Sequence, residues 1–368
     1  MGLVWGWTAV VFFGGLSRDC LAQGVVLDGP SPTASRIVSG GNDDFPTAEF
    51  STSSEFGRGT VLSVPAELDA VVRLGTVPDD LATLRAMERQ QRRVAELANF
   101  STVNVQIGPS QGCGVIITAS GYVLTAAHVA IRPGKEANVT LSDGRTVRAT
   151  SLGLNRQFDA GLLKIDSDQG SNWPHAALGK SGDLIPGMWC IATGHPGGYD
   201  GGRGVVTRMG RILEASPSSI LTDCALIGGD SGGPLFDLKG RLIAIHSRIG
   251  NDVAENLHVP IDQYAFSWKR MQKGEAWGVL EGFRPVLGVK GSRSAPRAVV
   301  QSIAALSPAE KAGLKVGDVI QRFGDRSIDN FPDLRAAVGD TMPGERVIIQ
   351  FKRGSEFRSV QVEIGRAD

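Results

Sequence analysis

The stretch Gly228-Gly229-Asp230-Ser231-Gly232-Gly233-Pro234-Leu235 places a single hydroxyl group among glycines, about a hundred residues after Thr125-Ala126-Ala127-His128. A serine hydroxyl is a poor nucleophile at neutral pH. It needs an imidazole to accept its proton and backbone N–H groups to hold the oxyanion that forms when it attacks a carbonyl. Flanking glycines let the chain bend sharply and direct two amide hydrogens into one small volume. The stretch therefore predicts nucleophilic serine chemistry, with Ser231 as the nucleophile and His128 as the general base.

A carboxylate is needed to fix the tautomer of the imidazole and to stabilise its cation. Asp159 is the best candidate, because it opens an apolar run about thirty residues after His128. Asp143 is explained by a turn and Asp166 by the exit from a strand, so both compete weakly. The order His128, Asp159, Ser231 is that of the chymotrypsin arrangement.

Residues 99–272 consist of short apolar segments split by Gly, Asp and Ser, which predicts many short strands without helices between them. Such spacing indicates closed or sandwiched antiparallel sheet. The competing α/β-hydrolase fold needs Gly-x-Ser-x-Gly between a strand and a helix, with the histidine last in the chain. Here Pro234 disrupts a following helix, and His128 comes first in the chain. We expect a mainly β domain.

The N-terminal part of the chain carries an apolar segment followed by a polar extension. Residues 1–23 have the apolar run of a secretory signal, but no Lys or Arg precedes it, so an uncleaved membrane anchor is the alternative. Residues 24–98 form an N-terminal extension that we expect to be loosely ordered to about residue 78. One amphipathic helix is predicted from Asp79 to about Ala98. Its apolar stripe is Leu81, Leu84, Met87, Val94 and Leu97, which we expect to pack on its own domain, with a partner-binding helix as the alternative.

The C-terminal part changes character after residues 273–284, which are predicted to be a linker. In residues 285–368, Ser307 caps a short helix that has Pro308 at its first position and Glu310 three residues after the cap. Strands are predicted at 319–323 and 347–351, and a second helix at 331–338. This pattern is typical of a small α+β module.

Charge and cysteine content exclude several classes of function. Thirty-eight basic and thirty-eight acidic residues leave no net charge, so nothing in the composition predicts nucleic acid as a partner. No Cys/His cluster suggests a metal, and the chemistry requires no cofactor. If residues 1–23 are removed, Cys113, Cys190 and Cys224 remain. Pairing of Cys190 with Cys224 is one interpretation, and three small buried hydrophobic side chains are the other.

Several further motifs match one family of proteins. They are Gly112-Cys113-Gly114-Val115-Ile116-Ile117 leading to His128, Asp159-Ala160-Gly161-Leu162-Leu163-Lys164-Ile165, and Thr222-Asp223-Cys224-Ala225 before the serine stretch. In this the chain resembles the trypsin-like proteases of the HtrA/Deg quality-control family. The module at 285–368 looks like their PDZ domain, with Val286-Leu287-Gly288-Val289 as the carboxylate-binding loop. The resemblance implies a double antiparallel β-barrel with one PDZ-like domain, action on misfolded or damaged proteins, and a homotrimer.

Two departures from the family concern the nucleophile loop. The family usually has Asn-Pro-Gly-Asn before its serine motif, whereas this chain has Ile227-Gly228-Gly229-Asp230, and serine is common where Cys113 stands. The motif implies the amides of Gly229 and Ser231 as oxyanion donors. Two glycines in place of a proline-containing turn make this backbone more mobile, so the sequence leaves open whether the oxyanion hole is formed at rest.

Substrate selection is predicted from the residues just before the nucleophile. Ala225 stands six positions before Ser231, where trypsin-like pockets that bind Lys or Arg carry an acid, and its neighbour Leu226 is apolar. We therefore expect a small aliphatic residue at the cleaved position. Arg248 either borders the pocket and selects acidic neighbours or is a solvated surface residue, and His195 is interpreted as a turn residue rather than a second base.

Peptide capture is expected at the PDZ-like module, where a peptide C-terminus adds to an exposed strand edge and the amides near Leu287, Gly288 and Val289 receive its carboxylate. A docking domain with an occluded groove is the alternative. For the whole chain the sequence predicts a secreted or periplasmic serine endopeptidase. The competing function is a catalytically idle peptide-binding adaptor or chaperone on a protease scaffold, against which the presence of all three triad residues argues.

Overall fold

The structure is a computed structural model that describes residues 59–108, 110–170, 172–250, 255–280, 282 and 284–367. The predicted signal or anchor at 1–23, and the extension up to residue 58, lie outside these residues. Within the described ranges, no helix is both long and apolar enough to cross a bilayer.

The first described elements are two helices that pack on the barrels. A 3₁₀ turn, Ala66–Leu68, leads into α1, Asp69–Leu74, which the sequence pattern did not predict and which is anchored by the buried side chains of Leu68 and Val71. Helix α2, Leu81–Ser101, begins where the Asp80 side chain accepts a hydrogen bond from Thr83 N at 2.8 Å. It starts and ends slightly later than the predicted helix.

The packed face of α2 differs from the predicted stripe at its first turn. Met87 and Val94 are buried, but Leu81 and Leu84 are 60% and 54% exposed. The two leucines border an open surface groove instead of the core. Prediction of burial from periodicity was wrong there, because the first turn faces a groove that it shares with Trp189 and Met209 rather than a close-packed surface.

Six strands of the described chain close into the first barrel. They are β1 (Thr102–Ile107), β2 (Ser110–Ile116), β3 (Tyr122–Ala126), β4 (Glu136–Thr140), β5 (Thr146–Asn155) and β6 (Ala160–Ile165), with the one-turn helix α3 (Ala127–Ala130) after β3. Antiparallel neighbours run in the order β5, β4, β1, β2, β3, β6, and pairing of β5 with β6 closes the sheet. Alternate residues Val103, Val105 and Ile107 of β1 point into its core.

The second barrel follows the same principle. Its elements are β7 (Ala177–Leu178), β8 (Trp189–Gly194), β9 (Val206–Ala215), β10 (Ile220–Thr222), β11 (Pro234–Asp237), β12 (Arg241–Ile249) and β13 (Asn256–Pro260). The order β11, β8, β9, β10, β13, β12 is closed by pairing of β11 with β12, and β7 lies outside against β12. Helix α4 (Ile261–Gln272) then crosses back to the first barrel, where β14 (Ala276–Trp277) pairs with β5.

The C-terminal module has its own core around Leu314, Ile320, Phe323, Ile349 and Phe351. Its elements are β15 (Pro285–Val286), β16 (Val289–Lys290), β17 (Ala298–Val299), β18 (Ser302–Ile303), α5 (Pro308–Lys311), β19 (Val319–Phe323), β20 (Arg326–Ser327), α6 (Phe331–Gly339), β21 (Arg346–Arg353), β22 (Glu356–Glu363) and β23 (Gly365–Arg366).

The predicted cap Ser307 is present, and the structure adds a second cap, Asn330, that was not predicted. The Ser307 side chain accepts a hydrogen bond from Glu310 N at the start of α5, and Asn330 forms a capping box with Asp333 at the start of α6. Together with the two barrels, the module confirms the predicted fold class, a mainly β double barrel followed by a small α+β domain.

Candidate active site

His128 lies where β3 ends and the chain turns into α3. The turn is held by Ala127 N, which donates a hydrogen bond to the Asp159 carbonyl oxygen at 3.0 Å. The imidazole is 15% exposed, and its Nδ1 lies 2.9 Å from Asp159 Oδ2. A neutral imidazole that donates from Nδ1 to a carboxylate keeps its Nε2 as the proton acceptor. This contact therefore selects the tautomer that a general base needs.

Asp159 stands just before β6 with a φ of 61°, a left-handed conformation that aspartate tolerates better than most residues. Its buried carboxylate accepts hydrogen bonds from His128 N at 3.1 Å and from Ser247 Oγ at 2.6 Å, besides the imidazole. Burial alone raises the pKa of this carboxyl. The charge of His128 and the hydrogen bonds from His128 and Ser247 outweigh that effect, so its pKa lies below the usual value. Asp159 is therefore a carboxylate at neutral pH.

Ser231 and His128 line one cleft of about 310 Å³. The Ser231 hydroxyl donates a hydrogen bond to the Ser247 carbonyl oxygen at 3.3 Å. Ser247 thus contacts both sides of the site, through its hydroxyl on Asp159 and its carbonyl on Ser231. The three residues predicted as a triad are brought to one site, although they lie far apart in sequence. Ser247 was missed because no local pattern separates it from other residues of β12.

The backbone beside Ser231 is held by the loop at 195–198. Gly197 N donates to the Gly228 carbonyl oxygen at 2.6 Å. Because the Gly228–Gly229 peptide is trans, the Gly229 N–H points away from that loop. Gly229 itself has a φ of 99°, and a Cβ there would lie 2.6 Å from the His195 carbonyl oxygen. Glycine is therefore required at 229 both by its backbone conformation and by the close approach of this loop.

The Cys113 side chain contacts both the loop at 195–198 and the loop that carries Ser231. Its thiol lies 3.1 Å from the Gly229 carbonyl oxygen, and His195 N donates to its sulfur at 3.1 Å. Burial raises the pKa of the Cys113 thiol, so it stays protonated and donates. The ring of His195 is buried with both nitrogens unpaired within the described residues, and its pKa is lowered to about 4 by burial and by the charge of Arg203. His195 serves through its backbone rather than its ring.

Asp230, next to the nucleophile, forms a buried ion pair that the sequence did not predict. Its Oδ2 lies 3.0 Å from Arg208 Nη2 on β9 and accepts a hydrogen bond from Ile227 N at 3.0 Å. The carboxylate is fully buried, whereas the Arg208 side chain is 20% exposed. Within the described chain, Asp230 Oδ1 and Arg208 Nη1 have no hydrogen-bond partner. Burial raises the pKa of Asp230 despite the Ile227 amide and Arg208. Arg208 is the ion-pair partner of the buried carboxylate that closes the 227–230 turn, and the charge of Arg203 adds a smaller attraction.

Two buried histidines lie behind the serine loop. The Gly232 amide and the His246 carbonyl are joined at 2.8 Å, so His246 holds the loop through its backbone. Its Nε2 faces the Thr193 carbonyl and must carry a hydrogen, while its Nδ1 meets His258 Nδ1 at 3.0 Å. His258 therefore donates from Nδ1 and accepts from the Thr222 hydroxyl at 2.7 Å. The contacts permit one arrangement of hydrogens on two neutral rings.

The pocket residues predicted from the sequence lie at different depths. Leu226 is buried and lines the cleft together with Ile227 and Gly228. Ala225 is half-buried and is not among the described lining residues. Arg248 is exposed and borders the cleft, and selection of acidic neighbours by this residue stays a prediction. Among the thiols, Cys190 and Cys224 are free, with their sulfur atoms 3.7 Å apart.

A second groove of about 690 Å³ lies in the C-terminal module, between the segment 285–290 and α6. All four residues predicted to bind peptide line it, namely Val286, Leu287, Gly288 and Val289. Leu287 is only 2% exposed and belongs to the module's core. Gly288 has a φ of 84°, and a Cβ there would lie 2.2 Å from the Ser307 Cβ. The loop is thus tightly packed on α5.

This module packs beside the cleft. Arg132 in the first barrel lies 3.3 Å from Asp325, and Arg156 Nη2 donates to the Asp340 carbonyl oxygen at 2.9 Å. Residues 342–345 line a small cavity together with His128, and Arg366 lines the main cleft. The barrel and the module therefore share the wall of the site.

Comparison with known proteins agrees with these features. Residues 112–245 match the family model described as trypsin-like peptidase domain, and residues 285–364 match the PDZ domain model. Fold and site thus define the class of trypsin-like peptidase domains that carry a PDZ domain.

Two similar curated proteins carry the same name. A probable periplasmic serine endoprotease DegP-like of Hahella chejuensis is 34% identical over 321 residues, covering 81% of this chain and 68% of the relative. One of the same name from Halomonas elongata is 32% identical over 271 residues, covering 70% of this chain and 56% of the relative. A solved HtrA-type protease, AlgW with tripeptide, has 26% identity and a TM-score of 0.44, covering 76% of this chain and 97% of that one.

The chain belongs to the family of DegP-like serine endoproteases. This confirms the resemblance inferred from the motifs, and the relatives' names confirm the predicted periplasmic compartment. The chain spans between about half and two thirds of the length of the relatives named above.

Proposed function

We propose that this protein is a serine endopeptidase that cleaves peptide bonds in misfolded or damaged proteins. The observation that carries the proposal is the contact of His128 Nδ1 with Asp159 at 2.9 Å, on an imidazole that lines one cleft with Ser231. In this role Ser231 is the nucleophile, His128 the general base and acid, and Asp159 the group that orients the imidazole.

The reaction begins when the Ser231 hydroxyl exchanges its hydrogen bond to the Ser247 carbonyl for one to His128 Nε2. Its oxygen then attacks the peptide carbonyl while its proton passes to Nε2, giving a tetrahedral oxyanion and an imidazolium that the Asp159 carboxylate stabilises. His128 returns the proton to the leaving amine, the C–N bond breaks, and an acyl-enzyme is left on Ser231. Water enters, gives one proton to His128 and hydrolyses the ester by the reverse steps.

The oxyanion is held by the amides of Gly229 and Ser231 in this proposal. The hydrogen bond from Gly197 N to the Gly228 carbonyl supports it, since this bond keeps that carbonyl turned to the 195–198 loop and the Gly229 N–H turned away from it. Leu226 in the cleft supports a small aliphatic residue at the cleaved position. A peptide library with strong preference for Lys or Arg at that position would contradict the pocket assignment.

Capture of substrate C-termini is assigned to the groove of the PDZ domain, where β16 pairs with β18 at one edge and its other edge is unpaired within the described residues. Assembly into a homotrimer is part of the proposal, on the ground of the resemblance to the family, and is tested by the mass of the full chain in light scattering. A monomer at micromolar concentration would refute it.

The proposal is tested by treating the full chain with a fluorophosphonate, which forms an ester with an activated serine. We expect one label, located on Ser231 by peptide mass spectrometry, and none in Ser231→Ala. The control Ser218→Ala, in the exposed turn between β9 and β10, should label normally. If Ser231 stays unlabelled even with an unfolded substrate such as casein present, the endopeptidase proposal is overturned and the adaptor interpretation takes its place.

A further inference from the structure

We propose that the groove of the PDZ domain selects peptide C-termini that end in an apolar residue and carry acidic side chains two or three positions before it. This inference rests on the proposed capture of C-termini and adds the chemical class of the ligand. It is carried by the charges on the two walls of the groove.

The floor of the groove is apolar, which suits an apolar last residue. Its lining side chains in the described chain include Val286, Val289, Ile303, Phe331, Leu334 and Val338. On α6, Phe331, Leu334 and Val338 follow one another at intervals of three and four residues, so they share one face of the helix. This face forms one wall, and β16 with its unpaired edge forms the other.

Every charged side chain in the described lining is positive. Lys290 belongs to β16, Arg335 belongs to α6 on the opposite wall, and Arg284 lies beside the loop at 286–289. All three are exposed, and within the described residues none of them has a carboxylate within ion-pair distance. Because the whole chain has no net charge, this is a local feature of the groove.

The positions of the acidic residues follow from strand geometry. A peptide whose carboxylate meets the loop at 287–288 and which runs along β16 advances by about 3.3 Å per residue, as the strand itself does. Lys290 is two to three residues beyond that loop, so it lies beside the peptide residues two or three positions before the C-terminus. Arg335 faces the same part of the peptide from α6, one helical turn from Val338. Arg284 stands nearer the terminal carboxylate.

The test measures binding of labelled decapeptides to the full chain carrying Ser231→Ala, which prevents cleavage. Three peptides end in valine and differ only at the second and third positions before it, which carry two Glu, two Ser or two Lys. A fourth has the Glu sequence with an amidated C-terminus. We expect fluorescence anisotropy at 50 mM NaCl to give a Kd about tenfold lower for the Glu than for the Lys peptide. The difference should shrink at 300 mM NaCl because salt screens exposed charges.

Charge reversal on the walls separates this inference from general effects of charge. Lys290→Glu and Arg335→Glu should each reduce the preference, and the double variant should bind the Lys peptide better than the Glu peptide. The matched control is Lys315→Glu, an exposed lysine of the same domain outside the groove, which should leave all affinities unchanged.

Each outcome decides something different. Equal affinity for the Glu, Ser and Lys peptides would overturn the charge selection while leaving capture of C-termini in place. If the amidated peptide binds as well as the free acid, or if no peptide binds, the proposed capture itself is wrong. Persistence of the Glu preference in the double variant would show that other groups produce it, and this too would overturn the inference.

Discussion

The two barrels present the proposed catalytic groups in different ways. In the first barrel, His128 and Asp159 stand at the ends of neighbouring strands, and the carboxylate accepts hydrogen bonds from the imidazole, from the His128 amide and from Ser247. In the second barrel, Ser231 stands on a glycine-rich loop whose closure involves one buried ion pair, Asp230 with Arg208. Two polar atoms of that pair have no hydrogen-bond partner in the described chain.

The two sides therefore differ in how many contacts hold them. On the base side, the Asp159 carboxylate accepts hydrogen bonds from three donors, so loss of one leaves the other two in place. The nucleophile side depends on the buried carboxylate of Asp230 and its ion-pair partner Arg208, and such a pair is costly to break from one end. We therefore expect chemical changes to dominate in the first barrel and conformational changes to dominate in the second.

The largest effect is expected from Asp159→Asn. An amide at this place donates to Nδ1 or leaves it in the wrong tautomer, so Nε2 no longer accepts the serine proton. In the Ser-His-Asp template this exchange lowers kcat by about ten-thousand-fold with the geometry intact. Steady-state cleavage of an unfolded protein measures it, with the unfolding midpoint unchanged within a few degrees.

The matched controls for this change are Asp143 and Asp166, the two weaker candidates for the triad carboxylate. Asp143→Asn and Asp166→Asn should leave kcat within about twofold, because Asp143 bonds Arg145 at an exposed turn and Asp166 accepts from Thr150. A large loss in either control, with Asp159→Asn active, would reverse the assignment of the carboxylate.

The next effect concerns the ion pair of the second barrel. Arg208→Met leaves the Asp230 carboxylate buried without its ion-pair partner, and removal of one partner of a buried pair costs about 3–5 kcal/mol. Part of that cost falls on the serine loop, so both the unfolding midpoint in urea and the rate of fluorophosphonate labelling should fall. The double variant Arg208→Met with Asp230→Asn removes both charges and should recover most of each loss.

An exposed pair of similar geometry serves as the control for that experiment. The side chains of Arg145 and Asp143 lie 2.7 Å apart, but they are 66% and 50% exposed. Surface pairs contribute about 0–1 kcal/mol. Arg145→Met should therefore change neither readout. If Arg208→Met behaves like Arg145→Met, the buried pair does not support the nucleophile loop.

How far the sequence predicts this comparison depends on the range of the interactions. His128, Asp159 and Ser231 were predictable, because each stands in a local motif whose chemistry is tied to its neighbours. Arg208 and Ser247 were not, because their partners are fixed by strand register between distant segments: β9 must align on β8, and β12 on β13, before either side chain reaches the site. The exposed Leu81 and Leu84 show the same limit, since periodicity predicts which face of α2 is apolar but not how much of that face another part of the chain covers.

Acid should weaken the second barrel before the first. His195, His246 and His258 all belong to it and are buried, with pKa values lowered by burial, to about 4 for His195 and about 3 for His258. The unfolded chain binds protons near pH 6.5 that the folded chain does not, so stability is complete above that value and is lost as the pH falls toward the folded pKa values. Each histidine then costs about 2 kcal/mol between pH 7 and pH 5.

Hydrogen exchange at pH 7 and pH 5 measures where this loss appears. Amides of β8, β12 and β13 should lose protection by a larger factor than those of β1 to β6, after correction for the intrinsic exchange rate. His258→Gln should flatten the pH dependence of the unfolding free energy in this window. Equal loss of protection in both barrels, or a flat profile in the unaltered chain, would contradict the prediction.

The smallest effect is expected at Ser247, the residue that contacts both sides. Ser247→Ala removes the hydroxyl that donates to Asp159 Oδ2 at 2.6 Å but keeps the carbonyl that accepts from Ser231. A hydrogen bond to a charged group contributes about 1.5–3 kcal/mol, and the donors that remain from His128 hold the carboxylate in place. We expect kcat/KM to fall by about tenfold, with Ser247→Thr restoring it because threonine keeps the hydroxyl.

In the Asp159→Asn background the same alanine change should have almost no further effect, since the charge that the hydroxyl stabilises is gone. A full tenfold loss in that background would mean that Ser247 acts on the nucleophile side, through its carbonyl and the loop of Ser231. Ser247 would then belong with the contacts that hold the nucleophile loop, not with those that hold Asp159.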